Sequence, residues 1–114
     1  MKKISIVSVL AFGLLTAGTA AATAAWSLTP LVPTQVEVDS STQTFVLFPS
    51  VPASAPGCAT STYVSINLTG SADTQKALTS LAETAFLAGR GLDVHWTGSC
   101  PKGSMGEIDG LAIN

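Results

Sequence analysis

Short stretches in which apolar and polar residues alternate predict most of the secondary structure of this chain. A period of two is typical of half-buried β-strands, and aromatic and β-branched residues strengthen that prediction. Gly110 interrupts one such stretch, which indicates a β-bulge there. Two proline-containing segments, 26–33 and 49–57, have no periodicity, and we expect an extended lead-in and a loop. Five stretches are predicted as strands: 34–39, 43–48, 60–68, 92–97 and 107–113.

One segment has the period of a helix instead. Between positions 77 and 86, apolar residues recur at helical spacing and form a single stripe. Ser71 or Asp73 is suited to cap the N-terminus of this helix, and Gly89 or Gly91 is suited to end it. The order along the chain is therefore strand, strand, strand, helix, strand, strand.

This order predicts a mainly β domain with one helix, folded as an OB-like five-stranded barrel. In such a barrel the helix between the third and fourth strands closes one end, which would bury the apolar stripe of 77–86. A β-sheet with the helix packed across one face, in another α+β topology, is the alternative. The order of elements allows both, because it does not define which strands pair.

The first 25 residues have the three parts of a secretory signal peptide. Lys2 and Lys3 are followed by an apolar run over 4–15 and by small residues that include an A-x-A pattern at 22–24. We predict a signal peptide at 1–25, with cleavage after Ala24 or Ala25. The product would be exported to the periplasm or the extracellular space.

The predicted export determines how the two cysteines are interpreted. In an oxidising compartment, Cys58 and Cys100 are expected to form one disulfide. The alternative, two free thiols for metal or redox chemistry, has no Cys-x-x-Cys motif and no zinc-type spacing to support it. The disulfide would contribute about 4 kcal/mol of stability through chain entropy.

The predicted mature segment, 26–114, is one small acidic domain. Removal of Lys2 and Lys3 leaves three cationic side chains against seven acidic ones, a net charge of −4. That balance argues against nucleic acid as a partner. No apolar run after Ala25 has the length of a transmembrane helix, so we expect no membrane span in the mature form.

The C-terminal part of the chain resembles known secreted proteins. The stretch 78–114, LTSLAETAFLAGRGLDVHWTGSCPKGSMGEIDGLAIN, is similar to small secreted bacterial proteins of unassigned function and to the B subunits of bacterial AB-type toxins. The shared features are a Leu- and Ala-rich helix, a strand, a Gly-x-Cys loop and a closing strand. The resemblance implies an OB fold, a pentameric homo-oligomer and binding of cell-surface glycans. It transfers no sugar-binding residue to a position of this chain.

Catalytic chemistry finds little support in the residue pattern. His95 is the only histidine, and it shares a strand face with Asp93, which would form the best available dyad. No serine or threonine lies in a nucleophile motif that such a dyad would activate. Glu107 and Asp109 would project from one strand face, which a charged, exposed strand also explains. We therefore predict no catalytic residues, no metal site and no cofactor.

A binding surface has better candidates. Tyr63, Ser65 and Asn67 lie on the polar face of the third predicted strand, and in OB folds the second and third strands bind oligosaccharides and oligonucleotides. Trp26 lies near the predicted mature N-terminus, where an exposed indole would stack on a sugar or a partner. Trp96 lies on the apolar face of its strand and is predicted to be in the core.

These observations favour a secreted or periplasmic, non-enzymatic binding module whose ligand is a carbohydrate or a protein. The alternative is a structural or assembly component of the cell envelope with a protein partner. In that case a free strand edge would pair with the partner chain. The short last strand, interrupted by Gly110, motivates this alternative.

Overall fold

The computed structural model describes residues 24–41 and 43–114. The signal peptide predicted at 1–25 therefore lies almost entirely outside the described residues. Six strands and one helix are present in the described part, as follows: β1 (Ala25–Trp26), β2 (Gln35–Val38), β3 (Thr44–Leu47), β4 (Tyr63–Ile66), α1 (Ala72–Ala88), β5 (Leu92–Trp96) and β6 (Gly106–Ile113).

The strands form one open mixed sheet in the order β1-β5-β6-β4-β3-β2. The pair β4–β6 is parallel and the other neighbours are antiparallel. The mainly β class with one helix is confirmed, but the closed five-stranded barrel is wrong. Closure would need the outer edge of β5 to pair with β2. That edge is occupied instead by β1, whose Ala25 is the last residue of the predicted signal peptide, and by a bridge between Leu31 and Leu92. Trp26 and Leu31 belong to the segment expected to be an extended lead-in.

Helix α1 begins and ends at residues suited to those roles. The Ser71 side chain accepts a hydrogen bond from the Thr74 N–H at the N-cap. Gly89 adopts the left-handed conformation at the C-cap, with φ of 64°, which favours glycine because it has no Cβ. One of the two predicted caps at each end is thus correct. Among the described residues, no helix combines the length and apolar character needed to cross a membrane.

The core lies between α1 and one face of the sheet. Ala82 and Ala85 are fully buried on the helix, and side chains this small let the backbone of α1 approach the strands closely. Trp96 is fully buried, as predicted, and is the largest such side chain in the described chain. The sheet residues of this core are Val46, Val64, Ile66, Leu92, Val94, Trp96 and Ile108.

A bulge in β6 explains how apolar residues at uneven spacing along this strand face the same core. Trp96 pairs with Ile108, whereas His95 pairs with Gly110, so Asp109 is an extra residue on β6. Because of the bulge, Ile108 and Leu111 both pack toward the core although they lie three positions apart. The strand is eight residues long and lies between β4 and β5. The last strand is therefore not the free edge that the envelope-component alternative assumed, and the open edges of the sheet that the structure describes are β1 and β2.

The loop over 97–105 packs on the opposite face of the sheet. The Ser104 carbonyl accepts from the Thr60 N–H at 3.0 Å, and the Lys102 ammonium lies 5.9 Å from the centre of the Phe45 ring. The predicted disulfide is confirmed: Cys58 and Cys100 are bonded, with their Cα atoms 6.0 Å apart. It joins the loop before β4 to this covering loop.

Removing the disulfide is expected to destabilise the domain strongly. A Cys58→Ala/Cys100→Ala variant should lose about 4 kcal/mol of unfolding free energy, because the bond closes a loop across 42 positions. Urea unfolding followed by circular dichroism measures the loss. Reaction of the native wild-type protein with two equivalents of a thiol reagent would contradict the bond itself.

Gly106 is expected to tolerate no side chain. A Cβ at this position would lie 2.8 Å from Trp96 Cζ3 and 3.3 Å from the Ala59 Cβ, both of which are buried. Gly106→Ala should therefore cost about 1–3 kcal/mol through overpacking. Gly57→Ala is the matched control, since a Cβ there meets no atom within 4 Å. Equal urea midpoints for the two variants would show that Trp96 does not fill this space.

Candidate functional site

The three residues predicted to bind a ligand do not form one open surface. Tyr63, Ser65 and Asn67 alternate along β4 and its continuation, as expected, but Ser65 is fully buried. It is in register with Phe45 on one side and Glu107 on the other, in the part of the face that the 97–105 loop covers. The Ser65 hydroxyl has no hydrogen-bond partner among the described residues. A period of two predicts which face a residue occupies, but not which loop covers that face.

Tyr63 lies at the rim of this covered region. It lines a shallow groove of about 280 Å³ together with Glu37, Phe45 and Met105. Its hydroxyl donates to Gln35 Oε1 at 3.3 Å, which ties β4 to the edge strand β2. Of the three predicted residues, Tyr63 is the one that lines a groove.

Asn67 has a local structural role. Its Oδ1 accepts hydrogen bonds from the Thr69 N–H at 2.8 Å and from the Thr69 hydroxyl at 2.9 Å. This is an Asx-type turn, which ends the extended backbone after β4. The side-chain oxygen is therefore engaged within the turn.

The other end of the same face carries an aromatic and polar cluster that the 97–105 loop leaves accessible. We call it the Trp26 surface; it comprises Trp26, Asp93, His95, Asp109, Gly110 and Asn114. The Trp26 side chain is exposed to 49% and lies edge-on to the His95 ring, with ring centroids 5.1 Å apart. The two residues pair across β1 and β5, which fixes their relative position.

His95 has a different partner from the one predicted. Its Nδ1 lies 2.6 Å from Asp109 Oδ1, and because a carboxylate only accepts, Nδ1 carries the shared proton. Asp93, the predicted partner, accepts instead from the Asn114 side-chain amide at 3.1 Å. Side chains on adjacent strands are closer than those two positions apart on one strand, and the bulge at Asp109 adds to this proximity.

Gly110 provides the space in which the Trp26 ring lies. A Cβ at position 110 would be 3.0 Å from the His95 Cβ and 3.3 Å from Trp26 Cη2. The indole of β1 thus extends past β5 and over the backbone of β6. The Gly110 signal in the sequence indicated a bulge; its second role, as the floor beneath an indole, depends on the pairing of β1 with β5.

Glu107 and Asp109 do not act as a pair. Glu107 is buried, and its two carboxylate oxygens accept from the Leu68 N–H and the Thr97 hydroxyl, both at 3.1 Å. It connects the ends of β4 and β5 through β6. Asp109 is exposed and bonds to His95, so the two carboxylates have separate structural and surface roles.

The Trp26 surface combines an indole, an imidazole, two carboxylates and a side-chain amide. His95 has its Nδ1 held by a carboxylate, but no hydroxyl nucleophile bonds to Nε2 within the described part of the chain. Among residues 24–41 and 43–114, no group of three or more His, Cys, Asp and Glu side chains is arranged to hold a metal ion. The sequence matches no known family model and no curated protein. The geometry of this cluster therefore carries the functional inference.

Proposed function

We propose that this protein is an exported, non-enzymatic carbohydrate-binding module whose ligand lies on the Trp26 surface. One observation carries the proposal: a half-exposed indole lies over a glycine and beside fixed hydrogen-bonding side chains. A pyranose ring has an apolar face of C–H groups and an equator of hydroxyls. The indole offers a matching flat apolar face, and the neighbouring carboxylates and amide supply polar contacts.

The hydrogen-bonding groups around Trp26 retain capacity for a ligand. An ionised carboxylate has about four acceptor sites, and the bond to His95 uses one of those on Asp109. Asp93 likewise receives one hydrogen bond from Asn114. Sugar hydroxyls that donate to these oxygens would form charge-assisted bonds, the stronger class.

Charge defines the class of sugar. Two carboxylates lie on this surface, the Arg90 guanidinium donates to the Asn114 backbone carbonyl at its margin, and the predicted mature chain has a net charge of −4. Sialylated, uronic or sulfated glycans would be repelled, whereas neutral glycans would not. The proposed ligand is therefore a neutral oligosaccharide.

Export rests on the sequence of residues 1–25 and is supported by the Cys58–Cys100 disulfide, which fits an oxidising compartment. The OB-type architecture also remains a proposal. It is supported by the chain order of the five longer strands and the helix. The extra strand β1 would then be an addition that opens the barrel and supplies Trp26.

Substitution of Trp26 is expected to weaken glycan binding strongly without unfolding the domain. On an array of neutral and acidic glycans, the mature wild-type protein should bind neutral structures, and Trp26→Ala should weaken the best of them about tenfold or more, a loss near 1.4 kcal/mol. Phe86→Ala is the matched control, because Phe86 is another exposed aromatic residue, at 41%, on α1. Calorimetry on the best array ligand measures both effects.

A second variant tests the geometry of the surface. Gly110→Ala keeps every polar group but places a methyl 3.3 Å from Trp26 Cη2, so it should also weaken binding. If Trp26→Ala and Gly110→Ala both bind the ligand as tightly as the wild type does, the Trp26 surface is not the binding site. A protein that binds no glycan on the array would remove carbohydrate as the ligand.

The pentameric ring implied by the toxin resemblance stays a separate prediction. Light scattering on the mature protein should then give about five times the monomer mass, since a cyclic assembly has a closed, fixed number of subunits. A monomer at every concentration tested would exclude the ring. It would leave the Trp26 surface intact as a single-site module.

A further inference from the structure

Strand β2 is an open edge whose outward backbone groups can be identified. The Asp39 N–H donates to the Gln43 carbonyl, and hydrogen-bonded pairs alternate in an antiparallel ladder. Glu37 therefore exchanges its backbone hydrogen bonds with its register partner on β3. The N–H and C=O groups of Val36 and Val38 consequently point away from the sheet, where no strand of the described chain pairs with them.

A groove lies directly beside this edge. It has a volume of about 490 Å³ and separates the end of the β2–β3 hairpin from the first half of α1. Val38, which is exposed to 53%, lines it from the sheet, and Ala72 and Thr79 line it from the helix. The Thr79 hydroxyl lies 2.8 Å from that of Thr44, which holds the helix and the sheet together at this groove.

An added strand would use both features at once. Its backbone would pair with Val36 and Val38, and its alternate side chains would point to the two faces of the sheet. On the helix face, one side chain would enter the groove over Val38. On the other face, the next side chain would lie beside Glu37, whose carboxylate accepts from the Gln35 amide at 3.2 Å.

Charge distinguishes between possible occupants of the edge. Glu37 lies on the edge strand and Asp39 directly follows it, and a hydrogen bond from the Ser41 hydroxyl lowers the pKa of Asp39, which keeps that carboxylate ionised. Lys102, whose ammonium lies over the Phe45 ring beside Glu37, offsets part of this charge, but a second copy would still bring two further carboxylates against this edge. A segment with a basic residue beside Glu37 would be attracted instead. Lys76 lines the groove on the helix face, so the side chain that enters there should carry no positive charge.

We propose that β2 binds an extended segment of another protein by strand addition. This segment carries an uncharged apolar residue that enters the groove between β2 and α1 and a basic residue beside Glu37. The surface is distinct from the Trp26 surface, which lies at the other end of the sheet. The longer of the two open edges is the one used, because β1 has only two residues.

The test uses a short, acetylated and amidated peptide in which valine alternates with lysine, added to ¹⁵N-labelled mature protein. The amide signals of Val36 and Val38 should shift progressively and exchange more slowly with solvent. The same peptide with glutamate in place of lysine should bind about tenfold more weakly. In Glu37→Gln this preference for lysine should shrink, a change that a purely structural role of Glu37 would not produce.

Matched variants locate the binding. Val38→Lys places a charge in the groove and should weaken binding about tenfold. Val32→Lys, the same substitution at a position exposed to 46% and outside the groove, should leave binding unchanged. Thermal melting verifies that both variants are folded. Trp26→Ala should bind the peptide normally, so failure here is distinguishable from failure of the glycan proposal.

Three results would overturn the proposal. The first is the absence of shifts at Val36 and Val38 with either peptide. The second is equal affinity for the lysine and glutamate peptides, which would show that the bound segment needs no basic residue beside Glu37. The third is a set of concentration-dependent shifts at these amides without any peptide, which would assign the edge to a second copy of the chain.

Discussion

The pairing of β6 with β4 on one side and β5 on the other is the interaction on which the rest of the structure depends. β6 is the last strand along the chain, and its pairing with β4 is the one parallel pair of the described sheet. Through it, Gly106 lies under the Trp96 ring, Ile108 enters the core and Glu107 receives hydrogen bonds from the ends of β4 and β5. The same strand, one bulge further, carries Asp109 to His95. A single strand, β6, therefore positions both residues of the core and the Asp109 carboxylate of the Trp26 surface.

The 97–105 loop covers one part of the polar face of the sheet and leaves the other part accessible to solvent. A domain of this size buries a limited fraction of its surface, so a second layer over part of one face adds to the burial. The disulfide at Cys100 holds that layer in place, and its expected contribution of about 4 kcal/mol is large against the 5–15 kcal/mol typical of whole domains. The loop removes Ser65 from solvent and leaves the Trp26 end accessible. Position relative to this loop therefore decides which polar residues can meet a ligand.

Local patterns predicted the local structure well. The period-two stretches became β2 to β6, the apolar stripe became α1 with Ser71 and Gly89 at its caps, and Trp96 is in the core. The stripe itself is only partly buried, because Ala77 and Phe86 at its two ends are exposed. These features depend on residues near one another in sequence, which is why they can be predicted without knowledge of strand pairing.

Features that depend on distant pairings were missed. Ala25–Trp26 is too short to show a period, and its strand character comes from the edge of β5 on which it lies. The His95–Asp109 contact and the burial of Ser65 likewise depend on which strand or loop arrives from elsewhere in the chain. Most residues of the Trp26 surface therefore had a sequence signal of their own: Trp26, Asp93, His95, Asp109 and Gly110. That Asp109 bonds to His95 and that Gly110 lies beneath the indole became identifiable only once the register was known.

The strand order also determines how the two proposed surfaces relate to each other. Trp26 is on β1 and Val38 is on β2, at opposite ends of a six-stranded sheet. The residues of the Trp26 surface and those that line the groove beside β2 have no member in common. Ligands on the two surfaces would contact different residues, and coupling between distant sites would require a two-state element that both ligands bias. We therefore expect the glycan and peptide surfaces to be occupied independently, so that one copy of this small domain can hold a saccharide and a protein strand at the same time.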